Sequence, residues 1–322
     1  MIFAFVPRDG TLERLTVEPG APLPEHAVWI DLVAPTVQED HMVEQYLGIA
    51  VPTREEMQEI EVSSRLYLEN GARYMTATLM CRSETATPKT TPVTFILSGH
   101  RLTTVRYDDP RPFTIVEHKL GRASAPKVTG DNVMMDLLDA VIDRSADILE
   151  RVGAEIDQVS HTIFEPEADQ PPSYNDVLKA LGRKGDLTSK VRESLVSIGR
   201  LLLFLANEAE TMKWAKDART QVQSMQRDVV SLTDHASYIA NKVTFLLDAM
   251  LGVVNIQQNA IIKIFSVAAV VLMPPTLVAS IYGMNFKHMP ELDWYFGYPL
   301  ALGVMIMAAV LPYMYFKWKK WL

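Results

Sequence analysis

The stretch IFSVAAVVLMPPTLVASIYGMNF, residues 264–286, decides the architecture of this chain because it contains no Asp, Glu, Lys, Arg or His. A second uncharged stretch, WYFGYPLALGVMIMAAVLPYMYF, occupies residues 294–316. At a rise of 1.5 Å per residue, each would form a helix of roughly 30 Å or slightly more, which matches the hydrocarbon core of a bilayer. The sequence therefore predicts two transmembrane helices, at about 264–284 and 295–316. The alternative is a pair of buried core helices, which seldom stay free of charge over such a length.

Lysine residues around the two uncharged stretches predict how the chain crosses the membrane. Lys263 precedes the first stretch, and three lysines follow the second: Lys317, Lys319 and Lys320. The connection between the stretches contains one lysine, Lys287. Lys and Arg near the ends of spans are retained on the cytoplasmic side. We therefore expect both termini in the cytoplasm, with the terminal lysines also contacting lipid headgroups.

The composition of the whole chain limits its function class. The 322 residues carry a formal net charge of -8 and a single cysteine, Cys81. One cysteine excludes an internal disulfide framework and fits a reducing compartment. The first residues, MIFAFVPRDG, lack the basic start and the long apolar stretch of a signal peptide. The histidines form no His-x-x-x-His pair, and GRKGDLTSK lacks the spacing of a phosphate loop. We expect no enzymatic activity, no organic cofactor and no nucleic-acid partner.

The first 130 residues are predicted to form an α/β domain in the cytoplasm. The pattern predicts a hairpin around Asp9 and Gly10, a buried strand in AVWIDLV, and two strands joined at Gly99 in TFILSGHRLTTVRY. PTREEMQEIE is predicted to open a helix, with Thr53 as N-cap and Glu56 as its capping-box partner. We interpret the acidic run there as a solvated face, and a metal site is the alternative.

After residue 130 the strand signals stop and helical periodicity begins. One helix is predicted over 131–165, a second over about 173–212, and a third over 217–281. The third would be on the order of 100 Å long and continues without a stop signal into the first span, so we interpret it as a stalk. The predicted organisation is an α/β domain at 1–130, a helical bundle and stalk at 131–263, and a transmembrane hairpin with a basic tail at 264–322.

A stripe of polar and small residues follows one face of the third helix. Counting by sevens gives two series that lie four residues apart, a spacing that implies left-handed supercoiling about neighbouring copies. The first series is Asp248, Asn255, Ile262, Ala269, Thr276 and Gly283, and the second is Gly252, Asn259, Ser266, Met273 and Ser280. Small residues alone would indicate close helix packing. The polar residues favour the wall of a water-filled path. One chain with two spans cannot enclose such a path, so we expect a homo-oligomer.

Two prolines lie in the middle of the first span. Pro274 and Pro275 lack the backbone N–H groups that would bond the carbonyls of Val270 and Val271. We prefer a simple kink as the interpretation. An ion site at the freed carbonyls is the alternative, because such carbonyls need water or a neighbouring helix.

Several of these segments resemble the CorA family of magnesium and cobalt channels. The family signature is Tyr-Gly-Met-Asn, here at residues 282–285, followed by Met-Pro-Glu-Leu at 289–292 and a basic tail. AVWIDLVAP and TREEMQEIEVSSRLYLENG are similar to the N-terminal domain of the same family, so the resemblance covers nearly the whole chain. The similarity is closest to the proteobacterial branch, which implies the cell inner membrane.

The resemblance implies a homopentamer with a funnel-shaped cytoplasmic domain, in which the long helix of each subunit lines the pore. It implies a selectivity filter at the outer mouth, formed by Gly283, Met284 and Asn285, where Asn285 meets hydrated Mg²⁺. Ile262 and Phe265 would form an apolar constriction, and Phe265 stands next to the Ser266 of the stripe. The implied pore-lining positions are Asp248, which is also a candidate metal ligand, and Asn255, Asn259, Ile262, Phe265, Ala269, Met273, Thr276 and Ser280.

The resemblance also implies that Mg²⁺ is both the transported and the regulatory ion, with Co²⁺ also carried and Ni²⁺ as a further candidate. Intracellular Mg²⁺ would bind carboxylates between cytoplasmic domains and hold the closed state. Asp217, Asp228 and Asp234 are candidates for these carboxylates. The alternative is that each is an ordinary exposed residue of the helix. Glu291 and Asp293 in the outer loop would concentrate cations. Two alternatives stay open: the zinc-transporting branch of the superfamily, and a membrane-tethered coiled-coil scaffold that conducts nothing.

Overall fold

The computed structural model describes residues 1–8, 10–122, 128–165, 173–285, 289–290 and 293–319. The chain divides into two compact units, Met1–Leu246 and Leu247–Leu322. The strands are β1 (Ile2–Arg8), β2 (Thr11–Val17), β3 (Trp29–Val33), β4 (Leu66–Glu69), β5 (Ala72–Cys81), β6 (Lys89–Ser98) and β7 (Arg101–Arg106). The helices are α1 (Val37–Leu47), α2 (Arg54–Met57), α3 (Val62–Arg65), α4 (Arg111–Leu120), α5 (Gly130–Phe164), α6 (Tyr174–Thr211), α7 (Lys216–Tyr282) and α8 (Gly297–Trp318).

The seven strands form one mixed sheet in the order β2-β1-β3-β7-β6-β5-β4. Strands β3 and β7 pair in parallel, and the other neighbours pair antiparallel. The predicted first hairpin is confirmed by the pairing of Arg8 with Thr11, although Asp9 itself lies outside the described residues. The predicted junction at Gly99 is also confirmed, and its φ of 58° lies in the left-handed region that glycine adopts without a steric cost.

The predicted capping box at Thr53 is confirmed, but the helix that it opens is short. Thr53 Oγ1 accepts from the Glu56 amide, and the Glu56 carboxylate accepts from the Thr53 amide. The helix α2 ends at Met57, whose side chain is buried, and the chain then enters the short helix α3. Arg65 Nε donates to the Glu59 carbonyl at 2.6 Å and so holds the link between the two helices. The acidic side chains of this segment are exposed, as expected for a solvated face.

A buried ion pair ties the two parallel strands together. The Arg106 guanidinium of β7 donates to the Asp31 carboxylate of β3 at 2.9 Å, and both side chains are buried. Thr104 Oγ1 donates to Asp31 at 2.6 Å and accepts from Trp29 Nε1 at 2.9 Å. Burial alone would lower the pKa of Arg106, but the charges and hydrogen bonds of Asp31 and Asp109 together more than offset this and raise it. The pair is therefore a fully bonded polar centre in an apolar sheet.

The three long helices begin and end at or next to the predicted residues, so their prediction is confirmed. Helix α5 starts at Gly130, where an added Cβ would lie 2.3 Å from the Leu102 amide nitrogen. Only glycine therefore fits between the start of α5 and the adjacent strands. Helix α6 packs on β5, where Ser197 Oγ accepts from the Thr78 amide at 2.9 Å. The sheet, α5 and α6 belong to one compact unit, whereas α7 continues from that unit into the second.

Replacing Asp31 with alanine would leave the buried Arg106 with the exposed Asp109 carboxylate as its remaining close counter-ion. We expect the substitution to lower the free energy of unfolding by about 3–5 kcal/mol, because the buried guanidinium would lose its buried counter-charge and the hydrogen bonds of Nε and Nη2. Thermal unfolding of the purified full-length protein, followed by circular dichroism, measures the change. The matched control is Lys190→Ala, which removes a partly exposed pair with Asp186 and should cost at most about 1 kcal/mol. Equal effects of the two variants would contradict the role of the buried pair.

Candidate ion pathway

In the first unit, α7 packs against α5 and α6 through one buried face. Buried side chains recur at spacings of three and four residues along this part of the helix. They are Val222, Met225, Val229, Ala236, Ile239, Val243 and Leu246. A methyl group added at Gly199 of α6 would lie 3.3 Å from Val229 Cγ1, and one added at Gly185 would lie 3.4 Å from Val243 Cγ1. The small residues of α6 therefore allow α7 to approach closely, as in coiled-coil packing.

In the second unit, the predicted stripe is exposed, as is most of α7 around it. All of the predicted pore-lining residues, including Phe265 beside the stripe, are exposed in the single chain: Asp248, Asn255, Asn259, Ile262, Phe265, Ala269, Met273, Thr276 and Ser280. Ile262 is 60% exposed and Phe265 is 71% exposed, although both side chains are large and apolar. This face is consequently available to water, to lipid or to another copy of the chain.

The hydroxyl groups near the end of the first span are bonded to their own helix. Thr276 Oγ1 donates to the Leu272 carbonyl at 2.8 Å, and Ser280 Oγ donates to the Thr276 carbonyl at the same distance. Because each hydroxyl hydrogen is used in this way, the oxygen lone pairs remain as acceptors on the exposed face. Helix α7 continues through Pro274 and Pro275 without interruption. The stripe therefore presents acceptor oxygens, which suit a hydrated cation.

Helix α7 ends directly before the three predicted filter residues. Gly283 donates its amide to the Ala279 carbonyl at 2.9 Å, and Met284 donates to the Ile281 carbonyl at 3.2 Å. A Cβ at Gly283 would lie 3.1 Å from the Ala279 oxygen, which is closer than side chains normally approach. A side chain at this position would therefore need the Ala279 carbonyl to shift by a few tenths of an ångström. Met284 and Asn285 follow it and are exposed.

The second membrane helix is α8, which begins close to the predicted start of the span. The parts of α7 and α8 that are apolar enough to cross a membrane are only 6% buried in each case, whereas a core helix would be mostly buried. Aromatic rings flank α8, with Tyr295 and Phe296 in contact before it and Tyr315 near Trp318 at its end. Rings of this kind favour the headgroup layer. Both helices therefore have the features of membrane spans.

The outer loop is described only in part. Glu291, Lys287 and His288 lie outside the described residues, and so does Lys320 of the basic tail. Asp293 is described and is exposed. The predicted role of the loop acids in collecting cations stays a prediction.

The predicted sensor carboxylates lie along α7, and the charge of one of them, Asp228, acts on an acidic residue of α5. Asp217, Asp228 and Asp234 are all exposed. Burial raises the pKa of Asp139 on α5, and the charges of Asp143, Asp136 and Asp228 raise it further, against an opposing effect of Lys119. The acids of α5 are spaced three and four residues apart, which places them on one helix face and was visible in the sequence. The described residues contain no ready-made group of three or more metal-ligating side chains.

Comparison with known proteins identifies the family. The family model described as "CorA-like Mg2+ transporter protein" matches residues 24–319. The chain is 37% identical over 322 residues to the magnesium transport protein CorA of Escherichia coli K12, and the alignment covers 100% of both chains.

Solved structures show the same fold. The CorA magnesium transporter of Methanocaldococcus jannaschii superposes with a TM-score of 0.77 at 17% identity, covering 100% of this chain and 99% of the other. The cytoplasmic domain of ZntB from Vibrio parahaemolyticus superposes with a TM-score of 0.57 at 10% identity, covering 79% of this chain and 97% of the other. On the family match and the full-length identity, the chain belongs to the CorA-like family of Mg²⁺ transporter proteins.

Proposed function

We propose that the protein is a Mg²⁺ channel of the cell inner membrane, in which α7 helices from several copies surround a water-filled path. The observation that carries the proposal is the exposed stripe of polar residues on a helix that is long and apolar enough to span a bilayer. Polar side chains in a span face a cavity or a neighbouring helix. The family, and the full-length relative that is named a magnesium transport protein, support Mg²⁺ as the ion.

The path requires several copies because one chain supplies only two candidate spans. Two helices cannot enclose a channel and also shield its polar wall from lipid. Five copies, as the family resemblance implies, would place five stripes around one axis. Ile262 and Phe265 would then form an apolar constriction, which gates by excluding water, and Asp248 would contribute a ring of carboxylates.

Asn285 is proposed as the ligand that meets the ion at the outer mouth, with Gly283 and Met284 shaping the backbone. Mg²⁺ prefers six oxygens in octahedral geometry and loses its water reluctantly. Carboxamide oxygens can hydrogen-bond this water shell without removing it, and neutral oxygens release the ion more easily than carboxylates. Acceptor oxygens of Thr276 and Ser280 would continue the same chemistry along the path.

The orientation of the spans is proposed from the basic residues that flank them. Lys263 is exposed on α7, and Lys317 and Lys319 lie at the end of α8. Lys and Arg near the ends of spans remain on the cytoplasmic side, so these positions support the proposal that both termini are cytoplasmic. Lys319 also lies over the Trp318 ring at 5.5 Å, an arrangement suited to the lipid headgroup layer.

Intracellular Mg²⁺ is proposed to regulate the channel by binding carboxylates of the cytoplasmic unit. The charges of Asp228 and the α5 acids support this, since burial and, after it, repulsion by neighbouring carboxylates raise the pKa of Asp139. A divalent cation would relieve the repulsion and stabilise the conformation in which these groups are close. Asp217 and Asp234 are the other candidates.

Substitution of the proposed filter should abolish Mg²⁺ uptake. We expect Asn285→Ala and Gly283→Ala to reduce flux into dye-loaded proteoliposomes to the level of empty liposomes. The first variant removes the carboxamide, and the second forces the backbone away from Ala279. Gly303→Ala in α8 is the matched control, because nothing lies within 4 Å of the added methyl group. Light scattering checks that all variants assemble. Unchanged flux in an assembled Asn285→Ala variant would contradict the filter role.

Comparison of metals should distinguish the proposed channel from its alternatives. We expect Mg²⁺ and Co²⁺ to enter proteoliposomes that contain the purified protein, and Zn²⁺ to enter more slowly, because the proposed path passes a hydrated ion. Metal-specific dyes measure the three fluxes under one applied gradient. Faster entry of Zn²⁺ than of Mg²⁺ would assign the protein to zinc transport. Absence of all three fluxes from an intact oligomer would favour the scaffold.

Removal of one carboxylate should weaken the proposed regulation. We expect millimolar Mg²⁺ to slow proteolysis of the cytoplasmic unit, and Asp228→Asn to require more Mg²⁺ for the same protection. Limited proteolysis over a Mg²⁺ series gives the midpoint for each variant. The control is Asp176→Asn, an exposed acid at the start of α6. A midpoint that shifts equally in both variants, or no protection at all, would contradict the role of Asp228.

A further inference from the structure

A cavity of about 550 Å³ in the first unit is lined mainly by hydrogen-bond donors. Arg65 of α3 and Arg192 and Arg200 of α6 contribute three guanidinium groups. Glu193 is the acidic side chain among the lining residues. Three positive charges against one negative charge leave the lining cationic, although the whole chain has a formal net charge of -8.

The positive charge of this cavity is not neutralised by close ion pairs in the described part of the chain. Other arginines of the same unit pair with carboxylates, such as Arg73 with Glu208 and the buried Arg106 with Asp31. Arg65 instead donates to two neutral oxygens, the Glu59 carbonyl and Thr78 Oγ1, at 2.6 and 3.1 Å. Burial lowers the pKa of Arg65, and the nearby Arg200 lowers it further, against an opposing effect of Glu193. The guanidinium groups therefore lack a full counter-charge.

Two buried hydroxyl groups complete the lining. Thr78 and Ser197 are 6% and 8% exposed, and both line the cavity. Each hydroxyl oxygen already accepts a hydrogen bond: Thr78 Oγ1 from Arg65, and Ser197 Oγ from the Thr78 amide. Within the described residues, neither hydroxyl donates one. Each hydroxyl thus retains a hydrogen for an acceptor in the cavity.

We propose that this cavity binds the phosphate chain of a nucleotide or a related polyphosphate. Guanidinium groups and hydroxyls are the donors that phosphate oxygens accept from most strongly, because the bonds are charge-assisted. Arg192 and Arg200 are eight residues apart on α6, about 12 Å along the helix axis, which suits an extended anion better than a single phosphate. Ile60, which is 88% exposed, and Val196 provide an apolar edge against which a base can pack.

The test measures anion binding to the full-length protein in detergent by titration calorimetry at low ionic strength. Adenosine triphosphate, pyrophosphate and inorganic phosphate are the probes. We expect saturable binding of the triphosphate, weakened at least about tenfold by the double substitution Arg192→Gln/Arg200→Gln, since each lost charge-assisted bond is worth that factor or more. Both arginines are exposed, and their removal leaves Arg65 balanced by Glu193. Equal binding of pyrophosphate would show that the site recognises the phosphate chain alone. Weaker binding of pyrophosphate would show that the site also contacts the base.

A matched double substitution distinguishes binding in this cavity from nonspecific attraction of the anion to positive charge. Arg151→Gln/Arg183→Gln removes the same charge from a different cleft of the first unit, where Glu84, Glu155 and Asp186 also line the wall. We expect this variant to bind the triphosphate within twofold of the unsubstituted protein. The midpoint of thermal unfolding verifies that both variants fold. Absence of saturable binding in the millimolar range, or equal weakening in both double variants, would overturn the proposal. The binding measurement does not depend on ion transport.

Discussion

The apolar surface that a single chain leaves uncovered beyond Leu246 is the constraint on which the functional interpretation depends. In the second unit, large side chains such as Phe265 and Trp318 are 71% and 77% exposed. Soluble proteins rarely expose a contiguous apolar surface of this extent to water. A bilayer and neighbouring copies can cover it, and in a bilayer a helix satisfies its own backbone groups. A polar stripe on such a helix costs free energy unless it faces water. Asn255, Asn259 and Thr276 are therefore stronger evidence for a water-filled path than the apolar residues around them.

The two units differ in the burial and hydrogen bonding of their polar groups. In the sheet of the first unit, Asp31 and Arg106 are buried and each is fully bonded, so that the polar centre costs little and holds the parallel strands in register. In the second unit, Thr276 and Ser280 donate to the helix backbone and leave their oxygens exposed. A stable core needs every polar group to be satisfied. A conducting path needs acceptors that water and ions can share in turn.

The two proposed ligands differ in the hydrogen-bonding groups that would hold them. Acceptor oxygens without donors, as on the stripe and at Asn285, suit a hydrated cation. Donors without acceptors, as at Arg192, Arg200 and the buried hydroxyls of Thr78 and Ser197, suit an anion. Because the cavity lies within the first unit, an anion bound there would act on that unit by its differential affinity for two conformations.

The sequence by itself determined the two spans, the three long helices, the first hairpin and the capping box at Thr53, because these depend on local periodicity and on charge along the chain. It also determined the family, through the residues at 282–285 and 289–292. Only the tertiary structure decided which distant groups meet. The pairing of Asp31 with Arg106, the fit of Gly130 beside Leu102, the electrostatic effect of Asp228 on Asp139, and the cavity at Arg65 all join residues far apart in sequence. Such contacts follow from strand order and helix packing, which local patterns do not encode.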